Sequence, residues 1–190
     1  MQKIMFNDRY GLTQAVIEGR KTMTRRLIPD EFFGLTWDTR GNTLVYENEY
    51  GDFIDVRLSK YTRYKVGEIV SVAQNYSSFY NILDNTRPIP EGAGWDNKMF
   101  VRADLMPHRI RITGIKCERL QDIQDADCLK EGVRYIPKIN KFYFEDMHRE
   151  EGFYFDNHRE AFAALIDKVS GRGTWASNPW VVVYEFELVK

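Results

Sequence analysis

The segment Asn178–Lys190, NPWVVVYEFELVK, decides the fold of this chain. Successive side chains of an extended strand point to opposite faces of a sheet. Hydrophobic residues occupy every second position from Trp180 to Leu188, and Glu185 and Glu187 fall between them. We therefore predict a long strand with one buried face and one polar face at this end of the chain.

Similar alternation predicts further strands. In RIRITGIKCERL, residues 109–120, Ile110 and Ile112 alternate with Arg109 and Arg111, which predicts a half-buried strand with a polar face. Other predicted strands are VGEIVSVAQNY (66–76), KMFVRADL (98–105), and a hairpin of TLVYEN (43–48) and FIDVRL (53–58) around a YGD turn.

Three segments show the helical spacing of apolar residues and end at a glycine. They are NDRYGLTQAVIEGRK (7–21) with Gly19, DIQDADCLKEGV (122–133) with Gly132, and DNHREAFAALIDKVSG (156–171) with Gly171. Asp156 or Asn157 is the candidate N-cap of the last helix. We interpret Asp122, Asp125 and Asp127 as capping residues of the middle helix, because negative charge is favourable in a first helical turn.

Together these elements predict an α+β fold, built as a small curved mixed sheet or a β-barrel with flanking short helices. A chain of 190 residues fits one domain, so we assign residues 1–190 to a single unit. The less regular segments 27–60, 77–97 and 134–155 are interpreted as insertions into that unit.

The net charge of the chain does not favour binding to a polyanion. Lys and Arg total 27 against 28 Asp and Glu, for a net charge of −1, so any binding of nucleic acid would need a local basic patch. No apolar stretch approaches the ~20 residues that cross a bilayer, and the N-terminus lacks a signal-peptide pattern. We therefore expect a cytoplasmic protein without a membrane partner.

The metal-binding residue types are sparse and scattered. Cys117 and Cys128 are the only cysteines and form no C-x-x-C pair, which argues against a zinc site or a disulfide framework. His108, His148 and His158 lie far apart in the chain. We expect neither a metal ion nor a cofactor, and the patterns leave the oligomeric state open.

The main basic patch is EGRKTMTRR, Glu18–Arg26, which follows the predicted end of the first helix. Three interpretations are open: a solvated turn that complements the helix dipole, a patch that binds nucleic acid, or a catalytic Lys/Thr pair. Arg109 and Arg111 share one strand face, which either extends a phosphate-contacting surface near this patch or is an ordinary exposed sheet face.

Several segments together resemble the ASCH domain, a branch of the PUA-like superfamily. EGRKTMTRR is similar to its G-x-K-x-x-T-x-R signature, and RITGIKCERLQDIQDADCLKEGV (111–133) is similar to its central strand and following helix. The ending FAALIDKVSGRGTWASNPWVVVYEFELV (162–189) resembles the close of a subgroup often encoded by phages and prophages. The segments follow the family's order.

The resemblance implies a small β-barrel in which the basic signature faces a cleft. PUA-like domains commonly bind RNA, some bacterial ASCH proteins hydrolyse the amide of acetylated cytidine, and ribonuclease activity has been attributed to others. In the amidohydrolases a Lys and a Thr of the signature work with a Glu on the later helix, which correspond here to Lys21, Thr24 and Glu131. Ligand-binding residues would include Gly19, Arg20, Thr22, Arg25 and Arg26 of the signature.

These features support three functional hypotheses. The first is a domain that binds RNA or a modified nucleoside or nucleotide in a basic cleft. The alternative is an enzyme, either an amidohydrolase of acylated cytidine-type nucleosides or a nuclease. The third is a phage accessory protein that acts through protein contacts of its aromatic insertion KFYFEDMHREEGFYF, residues 141–155.

Catalysis sets a geometric condition on the signature. A threonine hydroxyl needs a base to take its proton, and a lysine can be that base only if its pKa falls toward ~7–8 through burial or neighbouring cations. In a continuous strand Lys21 and Thr24 would point to opposite faces. The two side chains can meet only if the chain bends at Lys21, before the strand begins.

Overall fold

In the computed structural model, which describes residues 1–28, 34–59, 62–80, 92–149 and 152–189, the chain is a mixed α+β fold with three sheets and few helices. The strands are β1 (Lys3–Ile4), β2 (Met23–Leu27), β3 (Thr36–Asp38), β4 (Thr43–Glu47), β5 (Phe53–Asp55), β6 (Ile69–Val72), β7 (Arg109–Arg119), β8 (Arg134–Ile136), β9 (Lys141–Phe144), β10 (Phe153–Phe155) and β11 (Trp180–Val189). The helices are α1 (Leu12–Ile17), α2 (Tyr76–Phe79), α3 (Asp125–Lys130), α4 (His158–Ser170) and α5 (Thr174–Ser177).

The main sheet has the strand order β1-β6-β7-β11-β2. β1 runs parallel to β6 and all other neighbours are antiparallel, so the sheet is mixed. Among the described strands no backbone ladder joins the edge strands β1 and β2. Of the two predicted alternatives, the structure therefore has the open mixed sheet and not a closed barrel.

The C-terminal strand β11 lies between β7 and β2, which confirms that the chain closes with a long strand. Its register with β7 runs from Trp180↔Arg119 to Val189↔Arg109, and its register with β2 runs from Val181↔Leu27 to Glu185↔Met23. The expectation of one buried face is wrong for the first half, because Val181 and Val183 are as buried as Val182 and Tyr184. Both faces belong there to one hydrophobic cluster, to which α4 also contributes.

The helices end where the glycines predict. Gly19 and Gly132 have φ values of 72° and 111°, in the left-handed region that glycine adopts without strain. The Asn157 side chain caps α4 by accepting a hydrogen bond of 2.8 Å from the Glu160 N–H. No helix in the described part of the chain is long and apolar enough to cross a membrane.

Residues 98–105 do not form the predicted strand. They fold into two 3-10 turns, Lys98–Phe100 and Ala103–Leu105. The Asn97 side chain caps the first turn by accepting from the Met99 N–H at 3.0 Å. Side-chain capping of this kind offers the backbone an alternative to a sheet ladder, which the apolar spacing did not reveal.

Two of the predicted insertions form small sheets of their own. Segment 27–60 holds the sheet β3-β4-β5, which confirms the predicted hairpin, and segment 134–155 contributes the sheet β10-β9-β8. In the latter, Phe153 and Phe155 both stack on the buried Phe144. In the third segment, residues 76–79 form α2 and not the expected loop, and residues 81–91 lie outside the described ranges.

Truncation of Phe186 tests the central position of β11. The side chain is buried and its ring lies 5.7 Å from the ring of Phe6, so Phe186→Ala leaves a cavity in the core. We expect a loss of ~3–5 kcal/mol in the free energy of unfolding, measured by urea denaturation. Glu187→Ala, at the exposed next position, is the control and should change this free energy by less than ~0.5 kcal/mol. Equal effects of the two changes would contradict the assigned faces of β11.

Candidate active site

The basic signature bends before it enters the sheet. The N–H groups of Arg20 and Lys21 both donate to the Ala15 carbonyl at 2.9 Å, and the Thr22 N–H donates to the Lys130 carbonyl at 3.0 Å. β2 begins only at Met23. Lys21 therefore lies in the turn after α1, which is the bend that the catalytic hypothesis requires.

The Lys21 side chain is directed into the protein, where it is 2% exposed. Its Nζ donates to the Glu131 carbonyl at 2.7 Å and to Glu131 Oε2 at 2.6 Å. Close packing at the neighbouring Gly132 accompanies this contact, since a Cβ there would come within 2.8 Å of Leu12 Cδ2. The end of α3 thus holds the lysine from both the backbone and the side chain of one residue.

Arg25 is the second cation of this cluster, and its side chain is 0% exposed. Its guanidinium contacts Glu118 on β7 at 2.6 Å and Glu131 Oε1 at 2.9 Å, and it lies 3.5 Å from Asp127. Glu131 consequently bridges Arg25 and Lys21, with one carboxylate oxygen for each cation. We call Lys21, Arg25, Glu118, Asp127 and Glu131 the buried ion cluster.

None of Asp122, Asp125 and Asp127 caps α3, and the capping interpretation is wrong for all three. The N-cap is Gln124, and no side chain caps this helix end. Asp127 is instead buried, and one of its oxygens accepts from Lys130 at 3.0 Å. Burial raises the pKa of this carboxyl, but the nearby cations, Lys130 foremost, outweigh it and hold the pKa below its usual range.

A cavity of about 180 Å³ lies along β2, the edge strand of the main sheet. Lys21, Thr24 and Glu131 all line it. The remaining walls come from Met5, Phe6, Asn7, Leu12, Arg25, Arg26, Leu27, Phe162, Leu165, Ile166, Val169 and Ser170. The turn, the edge strand and the end of α3 thus bring the three predicted catalytic residues to one space.

Thr24 presents its side chain to this cavity. The residue is 5% exposed, and its hydroxyl has no hydrogen-bond partner among the described residues. No buried side-chain nitrogen or oxygen of the described residues lacks a partner, so the small exposed part of Thr24 includes its hydroxyl. The Thr24 hydroxyl is therefore available to a ligand.

The backbone of β2 also has hydrogen-bonding groups on its free edge. Phe186 N–H donates to the Thr22 carbonyl and Ile28 N–H donates to the Trp180 carbonyl, so every second residue of β2, including Thr24, pairs with β11. The N–H groups of the intervening residues, Arg25 among them, point away from β11. The edge beside Thr24 thus offers backbone donors to the cavity.

Arg26 and Phe6 form another wall of the cavity. Arg26 Nη2 donates to the Met5 carbonyl, and its guanidinium lies 5.8 Å from the Phe6 ring centroid. Lys21 Nζ lies at the same distance from that ring. Phe6 is itself buried in the core and packs against Phe186, so these two contacts attach the cations to the core.

Burial lowers the pKa of Lys21 below its ordinary value of 10.5. Glu131 opposes this change because its negative charge favours the ammonium, whereas Arg26 and Arg25 add to it. A lowered pKa increases the fraction of Lys21 that is neutral near pH 7. The environment of Lys21 thus moves it toward the behaviour of a general base.

Other residues predicted for the site lie elsewhere. Arg20 pairs with Glu18 at 2.6 Å, outside the cavity, and Gly19 ends α1. Thr22 lies in the turn before β2 and does not line the cavity.

The arginine pair of β7 lies on the opposite face of the main sheet. On β11, Tyr184 pairs with Thr24 and Glu187 pairs with Arg111. Tyr184 and Glu187 are three positions apart, so their side chains, and those of their partners, point to opposite faces of the sheet. Arg109 and Arg111 are both exposed there. These two arginines and the cavity do not form one surface.

The described residues contain no cluster of three or more His, Cys, Asp or Glu side chains that could hold a metal ion. Both cysteines are buried, and burial raises the pKa of Cys117 to about 12 and that of Cys128 to about 11. Thiols with such pKa values stay protonated at neutral pH and are poor nucleophiles. Neither cysteine lines the cavity.

The fold and the cavity define an α+β protein whose edge strand adjoins a buried ion cluster. Comparisons with protein-family models, with curated proteins and with solved structures find no match for this chain. The resemblance to the ASCH domain accordingly stays a prediction that rests on the sequence segments quoted above.

Removal of Arg25 tests whether the buried ion cluster stabilises the fold. Arg25→Met leaves Glu118 and Glu131 without their shared cation, and we expect a loss of ~3–5 kcal/mol in the free energy of unfolding. Arg20→Met is the matched control, because Arg20 pairs with Glu18 at the surface and should contribute less than ~1 kcal/mol. Chemical denaturation at pH 7 measures both. A stability of Arg25→Met equal to that of the control would refute the structural role of the cluster.

A second experiment follows the titration of Lys21. With ¹³C-labelled lysine, the Cε shift of Lys21 should titrate below pH 10.5, and Glu131→Gln should lower the pKa further because it removes the nearest negative charge. Between the folded and unfolded pKa values the unfolded chain binds more protons, so this residue makes stability rise with pH in that window. A Lys21 pKa at or above the ordinary value of 10.5 would contradict the effect of burial.

Proposed function

We propose that this chain binds a modified nucleoside or nucleotide in the cavity along β2 and hydrolyses an amide bond on it. The observation that carries the proposal is that Lys21, Thr24 and Glu131 line one cavity. The family resemblance makes an acylated cytidine the substrate type to test first. The same resemblance supplies the PUA-like interpretation of the open mixed sheet.

Thr24 is the nucleophile in this proposal. Its hydroxyl has no partner among the described residues and so is free to attack an acyl carbonyl. The attack forms a bond between the hydroxyl oxygen and the carbonyl carbon, and the hydroxyl proton must pass to a base. Collapse of the tetrahedral intermediate releases the amine and leaves an acyl group on Thr24, which water then removes.

Lys21 is the base, and after protonation it is the acid. Burial lowers its pKa, which favours the neutral amine. Lys21 and Thr24 line the same cavity, where the amine would take the hydroxyl proton. The resulting ammonium can return a proton to the leaving amine. One residue then serves both proton transfers of the acylation step, as the histidine does in serine hydrolases.

Glu131 positions Lys21 in this scheme. Its two carboxylate oxygens accept hydrogen bonds from Lys21 and Arg25, so the group acts as an acceptor and has no proton to give to a leaving amine. These contacts therefore argue against protonation of the leaving group by Glu131. Its charge stabilises the ammonium that forms when Lys21 takes the proton.

Charge on the acyl oxygen would develop beside the edge of β2. The Arg25 N–H follows the nucleophile in the chain and points away from β11, toward the free edge. A backbone donor in this position can stabilise an oxyanion as in other acyl-transfer sites. Phe6 contributes an apolar wall to the same cavity.

The placement of the basic residues favours a small ligand over general RNA recognition. Lys21 and Arg25 are buried and engaged with carboxylates, and Arg20 pairs with Glu18. Surfaces that track a nucleic acid backbone need exposed cations free to contact phosphates. The protein-contact hypothesis loses support in a similar way, because the aromatic insertion places Phe144, Phe153 and Phe155 in the core packing.

Substitution of Thr24 separates catalysis from binding. Thr24→Ala removes the nucleophile, so we expect kcat for N4-acetylcytidine to fall by about a thousandfold or more, with little change in Kd for cytidine. Thr24→Ser retains a hydroxyl and should keep measurable activity. Thr22→Ala, two positions earlier and outside the cavity, is the control and should keep nearly full activity. Acetate release, followed by chromatography or a coupled assay, measures turnover.

The outcomes distinguish the hypotheses. Full activity of Thr24→Ala would exclude Thr24 as the nucleophile. Absence of turnover by the unmodified protein across a panel of acylated nucleosides, combined with cytidine binding that Thr24→Ala leaves intact, would favour a binding domain over an enzyme.

A further inference from the structure

A second cavity of about 410 Å³ adjoins the first. The two cavities share Met5, Arg26 and Leu27 in their walls. The other residues that line the second cavity are Ile28, Arg63, Tyr64, Val182 and Tyr184. A single ligand could therefore pass from one cavity to the other along β2, beside Arg26.

Two guanidinium groups of this second cavity lack counterions. Neither Arg26 nor Arg63 has an ion pair within the part of the chain that the structure describes. The Glu68 carboxylate accepts from Gln2 Nε2 and from the Lys65 N–H, both at 3.0 Å, and forms no ion pair with either arginine. This contrasts with Arg25, which the buried ion cluster neutralises.

Lys3 adds to the positive potential around Arg63. Its ammonium donates to the backbone carbonyls of Lys98, Met99 and Val101, which carry no net charge. Burial, and next the repulsion of Arg63, lower the pKa of Lys3. Burial likewise lowers the pKa of Arg26, with a smaller contribution from Arg63. An anion placed here would relieve repulsion among these cations.

Tyr184 contributes a neutral donor to the same space. Its hydroxyl oxygen accepts a hydrogen bond of 3.0 Å from the Arg63 N–H, which fixes the phenol in place. The phenol proton has no acceptor among the described residues. The cavity wall therefore holds two guanidinium groups and one free O–H donor.

We propose that the second cavity binds the phosphate group of a nucleotide whose base lies in the first cavity. Arg26 and Arg63 would contact the phosphate oxygens, for which planar guanidinium groups are well suited, and Tyr184 would donate a further hydrogen bond. This rests on the proposed function, which assigns the base to the first cavity, and it makes a nucleotide the preferred substrate over the free nucleoside.

The experiment compares ligands that differ only in phosphate. Calorimetry gives Kd for cytidine, for cytidine 5′-monophosphate and for inorganic phosphate. Turnover is measured with N4-acetylcytidine and with its 5′-monophosphate. We expect the monophosphate to bind at least about tenfold more tightly than cytidine. Arg63→Gln should weaken monophosphate binding roughly tenfold to a hundredfold and leave cytidine binding unchanged.

Lys65→Gln is the matched control. Lys65 is exposed, carries the same charge two positions further along the chain and lines a different cavity. Lys65→Gln should leave the ratio of the Kd values for cytidine and its monophosphate within about twofold of that of the unmodified protein. Since the Arg63 side chain is itself exposed and its backbone bonds persist in Arg63→Gln, circular dichroism of this variant should match the unmodified protein.

Each result bears on one proposal. Equal binding of cytidine and its monophosphate, or an equal loss in Arg63→Gln and Lys65→Gln, would overturn the phosphate site even if turnover is found. Absence of turnover together with an Arg63-dependent preference for the monophosphate would overturn the amidohydrolase and support the phosphate site. A short RNA that binds more tightly than the monophosphate, with the same dependence on Arg63, would support the site and identify a phosphodiester as its source.

Discussion

The contact of Arg25 with Glu118 and Glu131 is the interaction on which the site depends. It joins the edge strand β2 to β7, two strands away in the main sheet, and to the end of α3. A fully buried guanidinium is stable only when its donors are matched by acceptors at good geometry, because the lost hydration is costly. The requirement fixes the position of Glu131, and Glu131 in turn fixes the Lys21 amine.

This arrangement separates the cations by function. Arg25 is neutralised by carboxylates and holds the structure, whereas Lys21 shares one of those carboxylates and has a lowered pKa because it is buried. Arg26, one residue further, points to the other face of β2 and has no ion pair among the described residues. Strand alternation thus places neighbouring residues of one basic signature on opposite faces, one in the buried ion cluster and one without an ion pair among the described residues.

Local patterns in the sequence predicted much of the fold, and non-local pairing accounts for what they missed. The period of two identified β7 and β11, and Gly19 and Gly132 marked helix ends, because these signals reside in a few adjacent residues. The choice of Glu118 as a partner of Arg25 depends on β11 lying between their strands, which no spacing reveals. Lys21, Thr24 and Glu131 were named through a family resemblance, whereas Arg63 and Tyr184 had no local signal and emerged only from the cavity they share.

The position of β2 at the sheet edge explains how so short a segment can supply a site. Edge strands carry unpaired N–H and C=O groups and are normally protected from contact with other chains. Here residues 5–7, between β1 and α1, lie on one side of a cavity along that edge. Residues of α4 lie on the other side. Because β11 holds β2 in register, the Thr24 hydroxyl, the Arg25 N–H and the Arg26 guanidinium keep fixed relative positions. A rigid strand with a free edge can therefore present a hydroxyl, a backbone donor and a cation within three consecutive residues.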